Sequence, residues 1–253
     1  MTTPETPLCG KTALITGAGR RIGRAMALDL ARRGWAIGVH YKQSADAARA
    51  LVETIHGAGG KAVALAADFA DETAVAGLIG HCSAALGTTT LLINNASLFE
   101  NDSLATVTLE SWSAHMAVNL RAPLALTQGL VAGLGSEGRG NVINMLDQRV
   151  WNLSADYLSY TTAKAGLWTL TQTLALACAP RVRVNGIGPG PALPSKRQSQ
   201  AQFDAACARL PLGRGTGPAE ICTAVRFILD SPAMTGQMIA LDGGEHLVST
   251  PAS

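Results

Sequence analysis

The chain has 253 residues, 47% of them hydrophobic and 15% charged, with a net charge of +2. That is length enough for one sizeable core, its scattered Lys and Arg give no nucleic-acid or membrane-surface footprint, and no apolar run approaches the roughly 18–20 residues of a membrane span. The five cysteines (Cys9, Cys82, Cys178, Cys207, Cys222) form no C-x-x-C, and Met1 to Leu8 has no secretory pattern, so reduced thiols in a cytoplasmic protein are expected.

In order, short apolar runs alternate with helical segments. Lys11 to Thr16 reads as a buried strand. It runs into Gly17-Ala18-Gly19-Arg20-Arg21-Ile22-Gly23 and a helix to Arg33, closed by Gly34. A strand, a tight glycine turn and a helix N-terminus together make an anion site, because unpaired N–H groups and the helix dipole face one point. The spacing is G-x-G-x-x-x-G, not the commoner G-x-G-x-x-G. Gly17, Arg20, Arg21, Ile22 and Gly23 are therefore candidate dinucleotide contacts. The next strand, Trp35 to Tyr41, ends in His40-Tyr41-Lys42-Gln43-Ser44. An NAD-binding unit carries an Asp or Glu here for the ribose 2′-hydroxyl, and none is present. His40, Lys42 and Ser44, with Arg20, can donate to a 2′-phosphate instead, which predicts NADP(H). A solvated loop with incidental cations is the alternative.

Ser44 to Ala58 is a helix and Ala62 to Ala67 a third strand, followed by Asp68-Phe69. Asp68 can bond an adenine amine, or cap the helix that starts near Asp71 and runs to Leu86. The fourth strand, Thr90 to Ile93, ends in Asn94-Asn95-Ala96-Ser97. Open parallel sheets bind ligands at the carboxyl ends of strands where strand order reverses, so the ends of strands one and four should form the crevice. Leu109 to Ala132 carries a helix bent at Pro123, and Asn141 to Leu146 is a strand leading to Asp147.

Asp156 to Ala179 is a helix carrying Tyr160 and Lys164, four residues apart and so on one face. A nearby ammonium favours a phenolate, which predicts that Lys164 lowers the Tyr160 pKa from its usual value of about 10 and makes it a usable general acid. Arg183 to Ile187 is the sixth strand. After Pro189-Gly190, the irregular segment 191–212, helical around Gln200 to Ala208, reads as a substrate cover. A helix from Pro218 to Asp230 and a strand from Met238 to Leu241 complete the pattern. With no repeat or linker, it divides into a tail, 1–9, and a single domain, 10–248.

Thr16-Gly17 with its glycine turn, Asp68, Asn94-Asn95-Ala96, Asn119, Tyr160 with Lys164, Pro189-Gly190 and Leu241-Asp242-Gly243-Gly244 together resemble the short-chain dehydrogenase/reductase family from Lys11 to about Leu247. The resemblance implies an α/β fold, a doubly wound Rossmann-type sheet of about seven parallel strands, and a hydride-transfer enzyme, typically a homotetramer, acting on a small molecule. It implies Tyr160 as proton donor, Lys164 as its partner and holder of the nicotinamide ribose, and Asn119 as the residue positioning a relay water. Asp68, Phe69, Tyr41, Asn95, Ala96, Ser97, Pro189 and Gly190 would join the cofactor contacts. The usual Thr shortly after the Pro-Gly pair is missing.

Two departures narrow the reading. Arg21 stands where the family usually has Gly, and Asp147 where it usually has Ser, thirteen residues before the Tyr. Both, with Asn95-Ala96-Ser97-Leu98-Phe99, resemble the pteridine reductase branch, which implies Arg21, Ser97, Phe99, Asp147 and Tyr160 as the substrate wall. Chemistry agrees independently: a Ser hydroxyl can donate to a carbonyl, whereas an ionised Asp only accepts and suits a substrate rich in N–H groups. A protonated Asp147 could still donate. The expected function is NADPH-dependent reduction of a pterin-like heterocycle. A carbonyl reductase for 3-oxoacyl thioesters or sugars is the first alternative, and a non-catalytic NADP-binding sensor the second.

Overall fold

The computed structural model describes residues 10–195 and 198–248. Seven parallel strands form one sheet in the order β3-β2-β1-β4-β5-β6-β7: β1 (Thr12–Ile15), β2 (Ala36–Tyr41), β3 (Ala62–Ala66), β4 (Leu91–Asn94), β5 (Gly140–Met145), β6 (Val182–Pro189) and β7 (Met238–Leu241). The central strands β1, β4 and β5 are buried at every position. Helices on both faces demand that, so these strands read as continuous Val/Ile/Leu runs.

One face carries α1 (Arg21–Arg32) and α8 (Pro218–Leu229), with Met26, Leu30, Ile221 and Ile228 packed on Ile15, Ile37 and Ile93. The other carries α3 (Glu72–Leu86) and α5 (Ala122–Gly133), with Leu78, Leu126 and Leu130 on Leu14, Leu92 and Val142. Helix α2 (Ala45–Gly57) lies between β2 and β3 in the chain, α6 (Leu158–Cys178) packs along β6 and against α4 (Leu109–Met116), and α7 (Gln200–Ala208) follows β6. No helix among the described residues is long and apolar enough to cross a membrane.

Strand order reverses between β1 and β4, where the crevice is expected. A buried polar ladder ties the strands beyond it to α6. Asn94 Nδ2 donates to Asn144 Oδ1 at 2.8 Å, and Asn144 Nδ2 donates to Thr171 Oγ1 at 2.9 Å. Each bond satisfies a group that burial would otherwise leave costly.

Two local expectations need correction. The helix expected from Leu109 to Ala132 is two helices separated by a π-helical turn, Ala117–Arg121. Pro123 has no N–H for the Asn119 carbonyl four residues back, and the chain widens by one residue before it. The helix expected from Asp156 starts at Leu158, because Tyr157 takes a left-handed conformation with φ +59°.

Candidate active site

The glycine turn sits where β1 meets β4. Thr16 Oγ1 accepts from the N–H groups of Asn95 and Ala96, each at 2.8 Å, and Asn95 Nδ2 donates to the Thr16 carbonyl at 2.7 Å. A Cβ on Gly23 would lie 2.5 Å from the Gly17 carbonyl oxygen, so only glycine lets α1 start this close to the turn. No side chain caps α1, and its first turn carries no acid. Its N–H groups are therefore ready for an anion. At the end of β2 the half-buried Ser44 and, with it, Arg20 stand exposed enough to donate, Lys42 is exposed but already paired with Asp68 at 2.8 Å, and no carboxylate replaces them on that strand. This donor set fits NADP(H).

His40 does not belong to that set. Its side chain is buried at 3% exposure; Nδ1 accepts from the Gly17 N–H at 3.1 Å and Nε2 donates to the Ala67 carbonyl at 3.1 Å. Burial lowers its pKa to about 4, against the opposing effect of the Ala67 bond. A neutral ring with both nitrogens engaged cannot serve a phosphate; it pins the glycine turn instead. Phe69 stacks on it at 4.4 Å and is itself buried, so its ring is core. Asp68 accepts from Lys42 at 2.8 Å and from the Ala70 N–H, and the cap of α3 is Asp71, not Asp68.

The structure brings Asp147, Tyr160 and Lys164 together. Tyr160 Oη donates to Asp147 Oδ2 at 2.7 Å, while Asp147 Oδ1 accepts from the Arg149 N–H at 2.9 Å. Lys164 Nζ donates to the Met145 carbonyl at 2.7 Å. The expected lowering of the Tyr160 pKa is not found. Burial, then the charge and hydrogen bond of Asp147, push the phenol well above its ordinary value, only partly offset by Arg149 and Ser97. Lys164 is itself lowered to about 8 by burial, partly opposed by Asp147. Tyr160 is thus held firmly protonated, with its proton directed at Asp147.

Asn119 lies in the π turn, and its side chain is fully committed. Oδ1 accepts from Ser97 Oγ at 3.1 Å and the Leu98 N–H at 2.9 Å, and Nδ2 donates to the Leu98 carbonyl. It fixes the Ser97-Leu98 segment rather than presenting an amide to solvent.

Ser97, Asp147, Tyr160 and Lys164 line a cleft of about 840 Å³ together with Arg21, Ile22, Pro189 and Gly190. Arg21 has φ +53°, the left-handed region that favours glycine, so an arginine here costs on the order of 1–2 kcal/mol. Its guanidinium donates to the Pro194 and Leu193 carbonyls at 2.8 and 3.2 Å, joining the glycine turn to the first part of segment 191–212. Ser97 is exposed on the same cleft, while Tyr41 at the end of β2 and Ala96 after β4 are half-buried and do not line it. Phe99 stacks face to face on Tyr157 at 4.5 Å and meets Tyr160 edge-on at 4.7 Å.

Sequence reasoning missed four cleft residues. Tyr157 stacks on Phe99, with the Arg149 guanidinium 4.9 Å from its ring centre. Gln148 lines the cleft, and its buried Oε1 has no hydrogen-bond partner among the described residues. Glu245 faces the same space, its carboxyl raised by burial and by the charge of Asp147. Only Tyr157, three residues before Tyr160, carried a local signal.

A doubly wound parallel sheet with a glycine-turn crevice and a Tyr–Lys pair on one helix defines a dinucleotide-dependent oxidoreductase. The chain belongs to the short chain dehydrogenase family, whose model matches residues 11–204, and its cofactor is NADP(H). It is similar to FolM alternative dihydrofolate reductase 1 from Brucella suis, solved in complex with NADP, at 42% identity and a TM-score of 0.92 over 95% of this chain and 97% of that one. A short chain dehydrogenase from Burkholderia cenocepacia J2315 in complex with NADP is 31% identical with a TM-score of 0.86, covering 94% and 99%. The 3-oxoacyl-[acyl-carrier-protein] reductase of a Synechocystis species is 32% identical over 243 residues, 94% of this chain and 98% of that protein.

Proposed function

We propose that this oxidoreductase reduces a planar, N–H-rich heterocycle of the pterin type. One observation carries the reading: Tyr160 Oη donates to Asp147 Oδ2 at 2.7 Å. The partner of the acid is an acceptor, which welcomes N–H groups and repels a substrate carbonyl oxygen. The similarity to a protein named as an alternative dihydrofolate reductase supports the same class.

NADPH supplies the hydride. Tyr160 holds the proton for a ring nitrogen, and Asp147 accepts from the adjacent N–H edge as the phenol turns from it to the substrate. Lys164 carries positive charge at neutral pH beneath this pair. The Asn119 carbonyl, which Pro123 cannot bond, is the acceptor for a water that replenishes the proton. Arg21 donates at the opposite end of the pocket, the Phe99–Tyr157 stack offers an aromatic wall, and segment 191–212 covers the site.

A second reading, reduction of a 3-oxoacyl thioester, is favoured by the similarity to the Synechocystis reductase. NADPH oxidation against dihydropterins, dihydrofolate, quinones and acetoacetyl thioesters separates the two. Dihydropterin turnover is expected to lead. Turnover of the thioester alone would replace this proposal with the second reading.

A further inference from the structure

The loop after β4 is fastened to the start of the catalytic helix by a buried side-chain network. Asp102, 57 residues from Ser159 in the chain, replaces a local helix cap. Its Oδ1 accepts from the Ser159 N–H at 3.0 Å, its carbonyl accepts from the Leu158 N–H at 3.1 Å, and its Oδ2 accepts from Ser159 Oγ at 2.5 Å and Ser111 Oγ at 2.9 Å. Tyr157, at the N-cap position, has no side-chain cap bond of its own, and its N–H donates to Asn101 Oδ1 at 3.2 Å. A carboxylate at a helix N-terminus meets both the orphan N–H groups and the positive end of the dipole. Burial pushes the Asp102 carboxyl up, but the bonds from Ser159 and Ser111 outweigh it and hold the group below the usual carboxylate range.

His115 completes the network from α4. The ring is fully buried; Nδ1 lies 2.7 Å from Ser159 Oγ and 2.9 Å from the Ser111 carbonyl, and Nε2 accepts from the Glu100 N–H at 3.3 Å. Because Nε2 accepts, the proton sits on Nδ1 and points towards Ser159 and Ser111. The order of donation is then His115 to Ser159 and Ser159 to Asp102. The same ring stands 6.2 Å from the Tyr160 ring, edge-on.

Every residue of the loop from Leu98 to Asp102 that is not aromatic is held through its backbone or side chain by α4, the π turn or the start of α6. The exception, Phe99, is the one that faces the cleft and stacks on Tyr157. Tyr157 in turn takes its left-handed φ of +59° at the junction this network clamps. Displacing that junction would move Phe99, Tyr157 and Tyr160 together.

We infer that Asp102, Ser159 and His115 are positioning residues for the reaction: they set the distance between the Phe99–Tyr157 aromatic wall and the Tyr160 hydroxyl, and so align substrate with its proton donor. None of the three lines the cleft. The cofactor turn is built separately, from Thr16, Asn95 and His40. The inference rests on Tyr160 being the acid, not on the substrate being a pterin.

The test uses the full-length enzyme with NADPH and two probes, 7,8-dihydrobiopterin and acetoacetyl-CoA, measured on whichever the wild type turns over. Ser159→Ala breaks the link between His115 and Asp102 but keeps the backbone cap; Asp102→Ala removes both; Asp102→Asn keeps an acceptor for the Ser159 N–H. Expected kcat losses are roughly 10-fold for Ser159→Ala and 100-fold for Asp102→Ala, with substantial recovery in Asp102→Asn, since misalignment of about 1 Å costs on the order of 10² in rate. The NADPH Kd should stay within about twofold throughout. Unchanged kcat per folded enzyme in Ser159→Ala, whatever its melting temperature, would overturn the inference. So would a loss of NADPH affinity in proportion to kcat, which marks general disruption. If Asp102→Ala does not fold, the other two variants decide. A wild type that ignores the pterin but reduces the thioester overturns the proposed substrate and leaves this comparison intact.

Discussion

Exchanging Asp147 for Ser tests the substrate reading at its one decisive contact. In the wild type the carboxylate accepts the Tyr160 proton at 2.7 Å, and Tyr160 is 5% exposed, so solvent screens the pair little. A hydrogen bond to a charged group of this kind is worth about 1.5–3 kcal/mol. If Asp147 makes its equivalent to a substrate N–H in the transition state, its loss lowers kcat/KM for a dihydropterin roughly 10- to 150-fold. A simple carbonyl substrate loses no such bond, and gains a hydroxyl donor beside Tyr160 where it met a negative charge. The ratio of kcat/KM for 7,8-dihydrobiopterin to that for acetoacetyl-CoA should therefore fall by at least tenfold. The measurement is steady-state NADPH oxidation on both substrates with both proteins, with the circular dichroism spectrum checking the fold. A ratio that moves less than about threefold means that Asp147 does not read the substrate, and the argument from acceptor chemistry fails.

Tyr160→Phe should cut turnover by roughly 10²–10⁴, the usual contribution of a positioned acid, with the NADPH Kd within about twofold; near-wild-type kcat would place the proton on Asp147. Lys164→Ala should lose both turnover and cofactor affinity, read by kcat and by NADPH fluorescence titration. NADPH should be preferred over NADH by about thirtyfold or more in kcat/KM, through charge-assisted bonds from Arg20 and Lys42, and the double exchange of both to Ala should remove most of that preference without changing NADH kinetics; equal use of both cofactors by the wild type would refute the phosphate site. His40 gives a pH dependence of stability. Its pKa is about 4 in the fold against 6.5 ordinarily, so the unfolded chain takes up the proton first as pH drops. Stability from this group is complete above about 6.5 and is lost as pH falls through about 4, up to roughly 3 kcal/mol. Urea titrations between pH 7 and 4 should show His40→Gln with a shallower decline than wild type; parallel curves would refute the burial argument.

What could be read from the sequence divides along a physical line. The central strands showed as apolar runs because they are covered on both faces, and the glycine turn showed because only glycine fits where Gly23 meets the Gly17 carbonyl. The Asp147–Tyr160–Lys164 cluster was legible because one strand end and one helical face placed all three. The errors concern what surrounds a group once the chain is packed. His40 looks like a phosphate ligand beside Lys42, and only the arrival of Ala67 and Phe69 from beyond β3 makes it a neutral buried ring. Lys164 looks like the group that tunes Tyr160, yet its ammonium is spent on Met145 and burial weakens it, so Asp147 dominates. Asn119 reads as the residue that positions a relay water; its side-chain amide goes to Ser97 and Leu98, a pairing that no local sequence pattern shows.

The raised pKa of Tyr160 bears on the proton acceptor that the proposed acid would serve. A phenol lowered by an ammonium and a phenol raised by a carboxylate are both proton donors; they differ in how strong a base must develop before the proton leaves. The lowered phenol can release its proton as a carbonyl oxygen builds charge, unaided. The raised phenol of Tyr160 gives its proton only to a base strong enough to take it, and a ring nitrogen receiving electrons through an adjacent carbon becomes such a base as reduction proceeds. On the proposed substrate, burial and Asp147 would therefore tie proton release to the progress of hydride transfer. Arg149 and Ser97 oppose this shift, which leaves Asp147, the residue that departs from the usual Ser, as the charge that would select the proposed heterocycle.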